Sequence, residues 1–312
     1  MNFAPQLTDE VADAIRNGRP VVALETTLVS HGFSAGRGLA AALDSEERVR
    51  AAGATPATVG VIDGVIRVGL SAGELARFAE AGTAARKAGA RDLAACVVQR
   101  ALGSTTVGGT LAVCRVAGIR FVGTGGIGGV HRGFADSLDI SADLPQLART
   151  PAVVVCSGAK SILDVSATAE LLETLAVPVL GWQTATLPMF YTGEGGPPVS
   201  ATVSDAAETA SIAAAHWELA PGGLILARPP AGGLDLEELI TEAVERVRRA
   251  GISGQAVTPA VLAAVEELSD GRSVEVNRRL IADNAELAAR VAVAYAALPE
   301  QAVRSRPGAR PS

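Results

Sequence analysis

Lysine is almost missing from this sequence. Lys87 and Lys160 are its two lysines among 27 Lys and Arg residues in 312. Arginine serves as a surface cation, but it cannot become a neutral amine near pH 7. Amine chemistry, or a need for a compact point charge, is therefore confined to two positions. Cysteine is scarce as well: Cys96, Cys114 and Cys156 are odd in number and widely spaced. That pattern excludes a disulfide framework and a zinc-ligand motif. Cys114 and Cys156 sit in apolar runs as packing residues, and the set points to a reducing compartment, the cytoplasm. Positive charge is not in excess, the net being −6, so nothing marks nucleic acid as a partner. A phosphorylated small molecule stays compatible, because local charge can oppose the global sign. No apolar stretch is long enough to span a bilayer, so no membrane partner is expected. Residues 1–20 read as a short amphipathic helix, not a signal peptide. A fixed-period repeat is also lacking, which excludes a solenoid.

What is present is apolar bulk, 48% of the chain, enough for a large core. Short β-branched runs alternate with alanine-rich helical patterns. Strands are expected at Val21–Thr26, Thr58–Ile62, Val65–Val68, Arg120–Gly123, Ala152–Cys156, Val177–Gly181 and Gly223–Ala227. Helices are expected at Thr8–Asn17, Ala35–Ala52, Ala72–Ala81, Thr110–Ala117, Ile162–Thr174, Asp205–Glu218, Leu236–Arg249, Pro259–Leu268 and Glu275–Ala297. The alternation predicts an α/β protein, an α/β/α layered sandwich. Asp63-Gly64 joins two of the strands as a hairpin, so the central sheet should be mixed. The C-terminal third is helical and would serve as a cap over the sheet. Residues 1–300 are expected as one domain, and the polar, Arg- and Pro-rich 301–312 as a disordered tail.

Lys160 follows the apolar run Val153–Cys156 and the small residues Ser157, Gly158 and Ala159. It is expected at a strand end, beside a helix beginning at Ile162. A helix N-terminus and partial desolvation both lower a lysine pKa, and a neutral amine can attack a sugar aldehyde to form a Schiff base. A phosphate-binding cation at the same helix end fits the position equally well. Lys87, within Ala84-Ala85-Arg86-Lys87-Ala88-Gly89, reads as an exposed lysine on a turn.

Gly123-Thr124-Gly125-Gly126-Ile127-Gly128 matches a dinucleotide fingerprint in form. Its continuation is poor helix material, and no acidic residue closes a following strand, so dinucleotide binding is rejected. The glycines would still let backbone N–H groups approach an anion or sugar, with His131 and Arg132 reaching phosphate. A plain irregular loop is the alternative. Gly103 through Thr110 opens the next helix with small polar residues, suited either to phosphate or to helix capping.

Glu25 ends the apolar strand Val21-Val22-Ala23-Leu24. Buried there, it would hold its proton and serve as a general acid; facing water, it would be an ordinary strand-end carboxylate. Asp139, Ser141 and Asp143 alternate along one edge, a hard-oxygen set suited to Mg²⁺ or Mn²⁺ with waters completing the shell. Ser141 or Asp143 as an N-cap before Leu144 is the competing reading.

Taken together these segments resemble the pseudouridine-5′-phosphate glycosidase family over nearly the whole chain. The matching stretches are Ala23 to Thr27 with Ser30-His31-Gly32, Pro56-Ala57-Thr58, Val61 to Gly64, Arg91-Asp92-Leu93, and Thr105-Thr106-Val107. They continue through Thr124 to Arg132, Phe134 to Asp143 in outline, Gly158 to Ser161, Gly181 to Thr184, and the helix bearing Asn277 and Asn284. The resemblance implies reversible cleavage of the carbon–carbon bond between uracil and ribose 5-phosphate. It implies Glu25 as proton donor and Lys160 as covalent nucleophile. It also implies Lys87, Val107, Ser141, Ala142 and Asp143 as substrate contacts, with His131 and Asn284 as further pocket positions. Asp139 on a divalent metal, usually Mn²⁺, and a homotrimer are implied as well. The chemistry suits the residues, because a C-glycoside has no leaving-group oxygen for the usual carboxylate pair to protonate.

Three stretches depart from the family pattern. Phe33 to Arg37 lacks prolines, Tyr191 to Pro198 lacks an arginine and a serine, and Ala227 to Pro230 lacks an asparagine before proline. All three are expected around the base pocket. They motivate a second reading, a C-glycosynthase joining ribose 5-phosphate to another aromatic acceptor. A non-catalytic sugar-phosphate-binding protein is the third, and retention of both Glu25 and Lys160 speaks against it.

Overall fold

Alternation along the strands decides the layering. Val21 and Ala23 join one core with Val122, Val154, Cys156 and Ile225, whereas Val22 and Leu24 join a second with Phe121, Val153, Val155, Leu224 and Leu226. Successive side chains on a strand point to opposite faces, so a strand apolar at every position needs cover on both sides.

In the computed structural model, residues 4–33, 36–252 and 254–299 are described. The expected tail and the expected helix start at Ala35 lie outside them. The strands are β1 (Gln6–Leu7), β2 (Val21–Glu25), β3 (Thr55–Ile62), β4 (Val65–Val68), β5 (Arg86–Ala88), β6 (Gly103–Thr105), β7 (Phe121–Gly123), β8 (Val130–His131), β9 (Val153–Cys156), β10 (Leu163–Asp164), β11 (Val179–Trp182), β12 (Ala201–Val203) and β13 (Leu224–Ala227). The main sheet runs β1-β4-β3-β2-β7-β9-β13-β11-β12, with β6 also pairing β3 and β5 pairing β6. The β3–β4 hairpin is antiparallel, whereas β2, β7, β9, β13 and β11 are parallel. The sheet is mixed, as the Asp63-Gly64 turn predicts.

The helix Arg272–Ala296 lies across β2, β7 and β9, flanked by Arg37–Ala51 and Ala206–Leu219. Its small face lets it sit close: a Cβ on Gly123 would stand 2.8 Å from the Ala285 Cα. The helix Val107–Ala117 packs against β2 and β3, and its Val107 and Leu111 belong to the core on the other face from Ala285 and Ala288. The Arg272–Ala296 helix thus lies at the centre of one layer of the sandwich, with the N-terminal helix Arg37–Ala51 beside it.

One helix differs from expectation in a way that matters. It starts at Val165, capped by the Asp164 carboxylate that accepts from the Ala167 N–H at 2.9 Å. Leu163 and Asp164 pair instead with His131 and Val130. Tertiary pairing overrides helical pattern there, so Lys160 stands on a loop and not at a helix N-terminus.

Candidate active site

β2, β7 and β9 are neighbours running the same way, with Leu24 level with Gly123 and Gly123 level with Val155. Their C-terminal ends therefore open on one edge. The chain leaves β2 for β3 on one side and later places β7 on the other, which makes this a topological switch point, where open α/β sheets bind ligands. A cavity of about 430 Å³ lies here. Glu25 comes from the end of β2, Thr124 to Gly126 from the end of β7, and Lys160 from the loop after β9.

Two short pairings bring the last two loops together. Ile127 bridges Ala159, the Lys160 N–H donates to the Ile127 carbonyl at 3.1 Å, and β8 pairs β10. His131 is thereby carried to the cavity wall.

Glu25 is 5% exposed and accepts a hydrogen bond from the Thr124 hydroxyl at 2.6 Å. Burial pushes its pKa above the ordinary carboxylate value, against the opposing pull of the Lys160 charge and of Thr124. The water-facing alternative is thus excluded. Lys87 also differs from its expected place: it is half-buried on β5, level with Ser104, and lines the cavity. Burial lowers its pKa, the Lys160 charge lowers it further, and Asp143, Glu25 and Asp139 oppose both. The turn expected from sequence is a three-residue strand, too short to show a period of two.

Asp143 braces the site. Its carboxylate accepts from the Gly108 N–H at 2.7 Å and the Gly128 N–H at 2.9 Å. A Cβ on Gly128 would collide with the Ser141 hydroxyl, so glycine there serves close packing. Neither of these N–H groups is left for a phosphate, and the Thr106 hydroxyl takes the Gly109 N–H at 3.1 Å. Gly103 through Thr110 thus follows the capping reading. Asp143 opens the Asp143–Leu147 helix with Ala142 at the cap position, so neither Ser141 nor Asp143 is its N-cap. Ser141, Ala142, Asp143, Asp139 and His131 all line the cavity. His131 Nδ1 is 3.9 Å from Asp139 Oδ2, and burial lowers the histidine pKa while Asp139 raises it.

Other expected positions fall elsewhere. Arg132 does not reach toward phosphate: its guanidinium donates to the Ser161 carbonyl at 3.0 Å and the Leu163 carbonyl at 3.4 Å, and pairs with Glu237 at 2.8 Å. It clasps the Lys160 loop to the Glu237–Arg249 helix. Val107 is outside the lining, because its side chain opens the Val107–Ala117 helix and packs into the core. Asn284, fully buried, is outside it too; its amide donates to the Thr124 carbonyl at 2.9 Å and to the Ser157 hydroxyl at 3.1 Å, tying the ends of β7 and β9. Of the three departing stretches, only Phe33 lines the cavity among the described residues. Arg228 is instead paired with Asp283 at 3.0 Å.

Some lining residues carried no prior role. His31 accepts or donates at 2.6 Å with the Ser30 hydroxyl, and its rarity, one of three histidines, was the available signal. Asn277 lines the cavity at 6% exposure, and its Oδ1 is buried without a hydrogen-bond partner. The ionisable side chains of Glu25, Lys87, Lys160, Asp139 and Asp143 thus converge on one cavity, able to hold an anionic sugar while an acid and an amine work on it.

The model of the indigoidine synthase A like protein family matches residues 10–294. A pseudouridine-5′-phosphate glycosidase of Chloroflexus aurantiacus is 47% identical, covering 92% of this chain and 97% of its own. That of Salinispora tropica is 48% identical, covering 92% and 91%. Among solved structures, the prealnumycin C-glycosynthase AlnA in complex with ribulose 5-phosphate superposes with a TM-score of 0.87 at 38% identity, covering 97% of this chain and 100% of its own. With its fold, its switch-point cavity and these relatives, the chain belongs to the indigoidine synthase A-like family, the family of the pseudouridine-5′-phosphate glycosidases.

Proposed function

We propose that this protein is a pseudouridine-5′-phosphate glycosidase, reversibly converting pseudouridine 5′-phosphate and water to uracil and ribose 5-phosphate. The observation that carries this reading is a buried Glu25, its pKa raised by burial, in one cavity with both lysines of the chain. Lys160 attacks C1′, and the ribose ring oxygen leaves with a proton, for which Glu25 is the buried donor. The C1′–C5 bond then breaks with its electrons going to the uracil carbon, which takes a proton, and C1′ stays on Lys160 as an iminium. Water hydrolyses the iminium, releasing ribose 5-phosphate and the free amine. Lys87 and His131 hold the phosphate end, a reading supported by their place in the cavity lining, and Asp143 keeps the Gly108 and Gly128 segments in register by accepting from their N–H groups.

The metal implied by the resemblance was weighed on its donors. Among the described residues no group of three or more His, Cys, Asp or Glu could hold an ion. Asp139 with His131 nearby fits an ion held by one carboxylate and a water-rich shell, as Mg²⁺ and Mn²⁺ accept. When bound, such a cation supplies positive charge for phosphate and carboxylates. Calorimetric titration with Mn²⁺ should show binding that Asp139→Asn loses; no heat from the wild type would remove the ion.

A homotrimer and a cytoplasmic location complete the proposal. Three buried free cysteines support a reducing compartment, and sedimentation would test the trimer. Among the described residues no helix is long and apolar enough to cross a membrane. The decisive experiment is release of uracil from pseudouridine 5′-phosphate, with uridine 5′-phosphate as control. Release from neither, with ribose 5-phosphate still bound, would overturn the reading in favour of a C-glycosynthase with another acceptor or of a binding protein.

A further inference from the structure

We infer that Thr124 is the positioning residue of the acid, an inference that rests on the proposed function: its hydroxyl fixes which oxygen of Glu25 faces the cavity, and Asn284 holds it in place from the helical layer. The Thr124 hydroxyl stands 2.6 Å from Glu25 Oε1, the one hydrogen bond to that carboxylate among the described residues. A threonine hydroxyl carries a single hydrogen, and Oε1 is its only acceptor among the described residues. Thr124 is 1% exposed, so a hydrogen turned away from Oε1 would be buried unpaired, at a cost. Oε1 therefore accepts, and a proton on Glu25 belongs on Oε2. Oε2 has no partner among the described residues, yet it is not a buried unpaired atom, and Glu25 lines the cavity. The proton is thereby aimed at the substrate.

Thr124 is itself pinned. Its branched side chain is stiff at χ1. Its N–H donates to the Val155 carbonyl at 3.0 Å, and its carbonyl accepts from the Asn284 amide at 2.9 Å. The same amide donates to the hydroxyl of Ser157 at 3.1 Å, on the loop that leads to Lys160. Asn284 is fully buried, and its Oδ1 has no partner. An orphaned buried oxygen is costly and calls for a reason. The geometry offers one: the grip of the amide holds the acid's partner and the nucleophile's loop at a fixed spacing. Asn284 does not line the cavity, so it acts through Thr124 and Ser157 and not on the substrate.

The hydroxyl also bears on when the acid lets its proton go. Burial raises the Glu25 pKa; the Lys160 charge and the Thr124 hydroxyl lower it, Asp143 raises it, and Lys87 lowers it. A donor to a carboxylate favours its charged form. Without the hydroxyl, Glu25 should keep its proton to higher pH.

The test is Thr124→Val, which keeps the shape and deletes the hydroxyl. For uracil release from pseudouridine 5′-phosphate, kcat should fall about ten- to a hundredfold with KM little changed. The high-pH limb of the kcat profile, where the acid loses its proton, should move to higher pH. Thr124→Ser should restore the wild-type limb and most of the rate, and Thr124→Ala serves if the valine variant does not fold. Asn284→Ala should lower kcat as well, and Thr124→Val added to it should cost less than it does alone. The titration can also be read without substrate. In carboxyl ¹³C NMR of glutamate-labelled protein, with Glu25 identified by its loss in Glu25→Gln, Glu25 should titrate at higher pH in Thr124→Val than in the wild type. An unmoved titration, or a raised KM at unchanged kcat, would overturn the inference; the second would make Thr124 a substrate contact. If the wild type releases no uracil while the NMR titration moves, the proposed function fails and the link from Thr124 to Glu25 stands.

Discussion

The strand-end half of the cavity and its helical half differ in where polar atoms find partners. At the strand ends, Glu25 accepts from Thr124 and Asp143 accepts from Gly108 and Gly128. In the helical half, Pro259, Leu262 and Ile281 are apolar, and Asn277 carries an oxygen without a partner. Groups that are positioned by the protein itself suit a reaction in which geometry must be preset. Groups left for a ligand suit selection. The proposed sugar chemistry falls on the strand-end half, so the two halves can be broken separately.

The largest expected effect is in the first half. Lys160→Arg keeps a cation but cannot form an imine, so turnover should fall by about three orders of magnitude or more, and no borohydride adduct should form. An adduct in that variant would move the nucleophile to another residue, with Lys87 the first to examine.

Glu25→Gln should reduce uracil release about 10²- to 10⁴-fold, with trapping of ribose 5-phosphate less affected. It also has a consequence for stability. Burial holds the Glu25 pKa above its ordinary value, so the folded protein keeps a proton that the unfolded chain has lost. Stability from this group is complete below the ordinary carboxylate pKa and is lost as pH rises through the raised value. Glutamine has no such dependence. The variant should therefore melt higher than the wild type at neutral pH, and at the same temperature in acid; a lower melting point at neutral pH would contradict a raised Glu25 pKa.

Arg132→Ala probes the join between the two halves, because this guanidinium holds the Lys160 loop to the Glu237–Arg249 helix. A loosened nucleophile should lower kcat about ten- to a hundredfold, with KM changing less and Arg132→Lys restoring part of the rate. Equal loss in KM and none in kcat would return Arg132 to the phosphate. The smallest effects separate the departing loops. Phe33→Ala should raise KM for uracil about tenfold and leave trapping unchanged. Glu194→Arg, exposed and outside the cavity lining, should leave both as they are; a shift in base preference would bring the Tyr191–Pro198 stretch back to the pocket.

Much of the fold could be read along the chain because runs such as Val21 to Leu24 and Leu224–Ala227 are apolar throughout and helices such as Ala72–Ala81 carry their own caps. The short strands could not be. Arg86–Ala88, Val130–His131 and Leu163–Asp164 hold only two or three residues each, too few for a period, and they form because a distant partner supplies their hydrogen bonds. Those same strands carry Lys87, place His131, and end the loop of Lys160.

By itself the sequence determined the layered α/β class, through local apolar periodicity, and the two lysines open to amine chemistry, through the near absence of others. Tertiary structure alone decided that Lys87 faces the cavity, that Arg132 turns away from it, and that Asn277 stands at its wall with a buried, unpaired oxygen. The reason is physical. Periodicity is set by neighbours a few residues away, whereas burial, like-charge proximity and hydrogen-bond satisfaction are set by groups that only folding brings together.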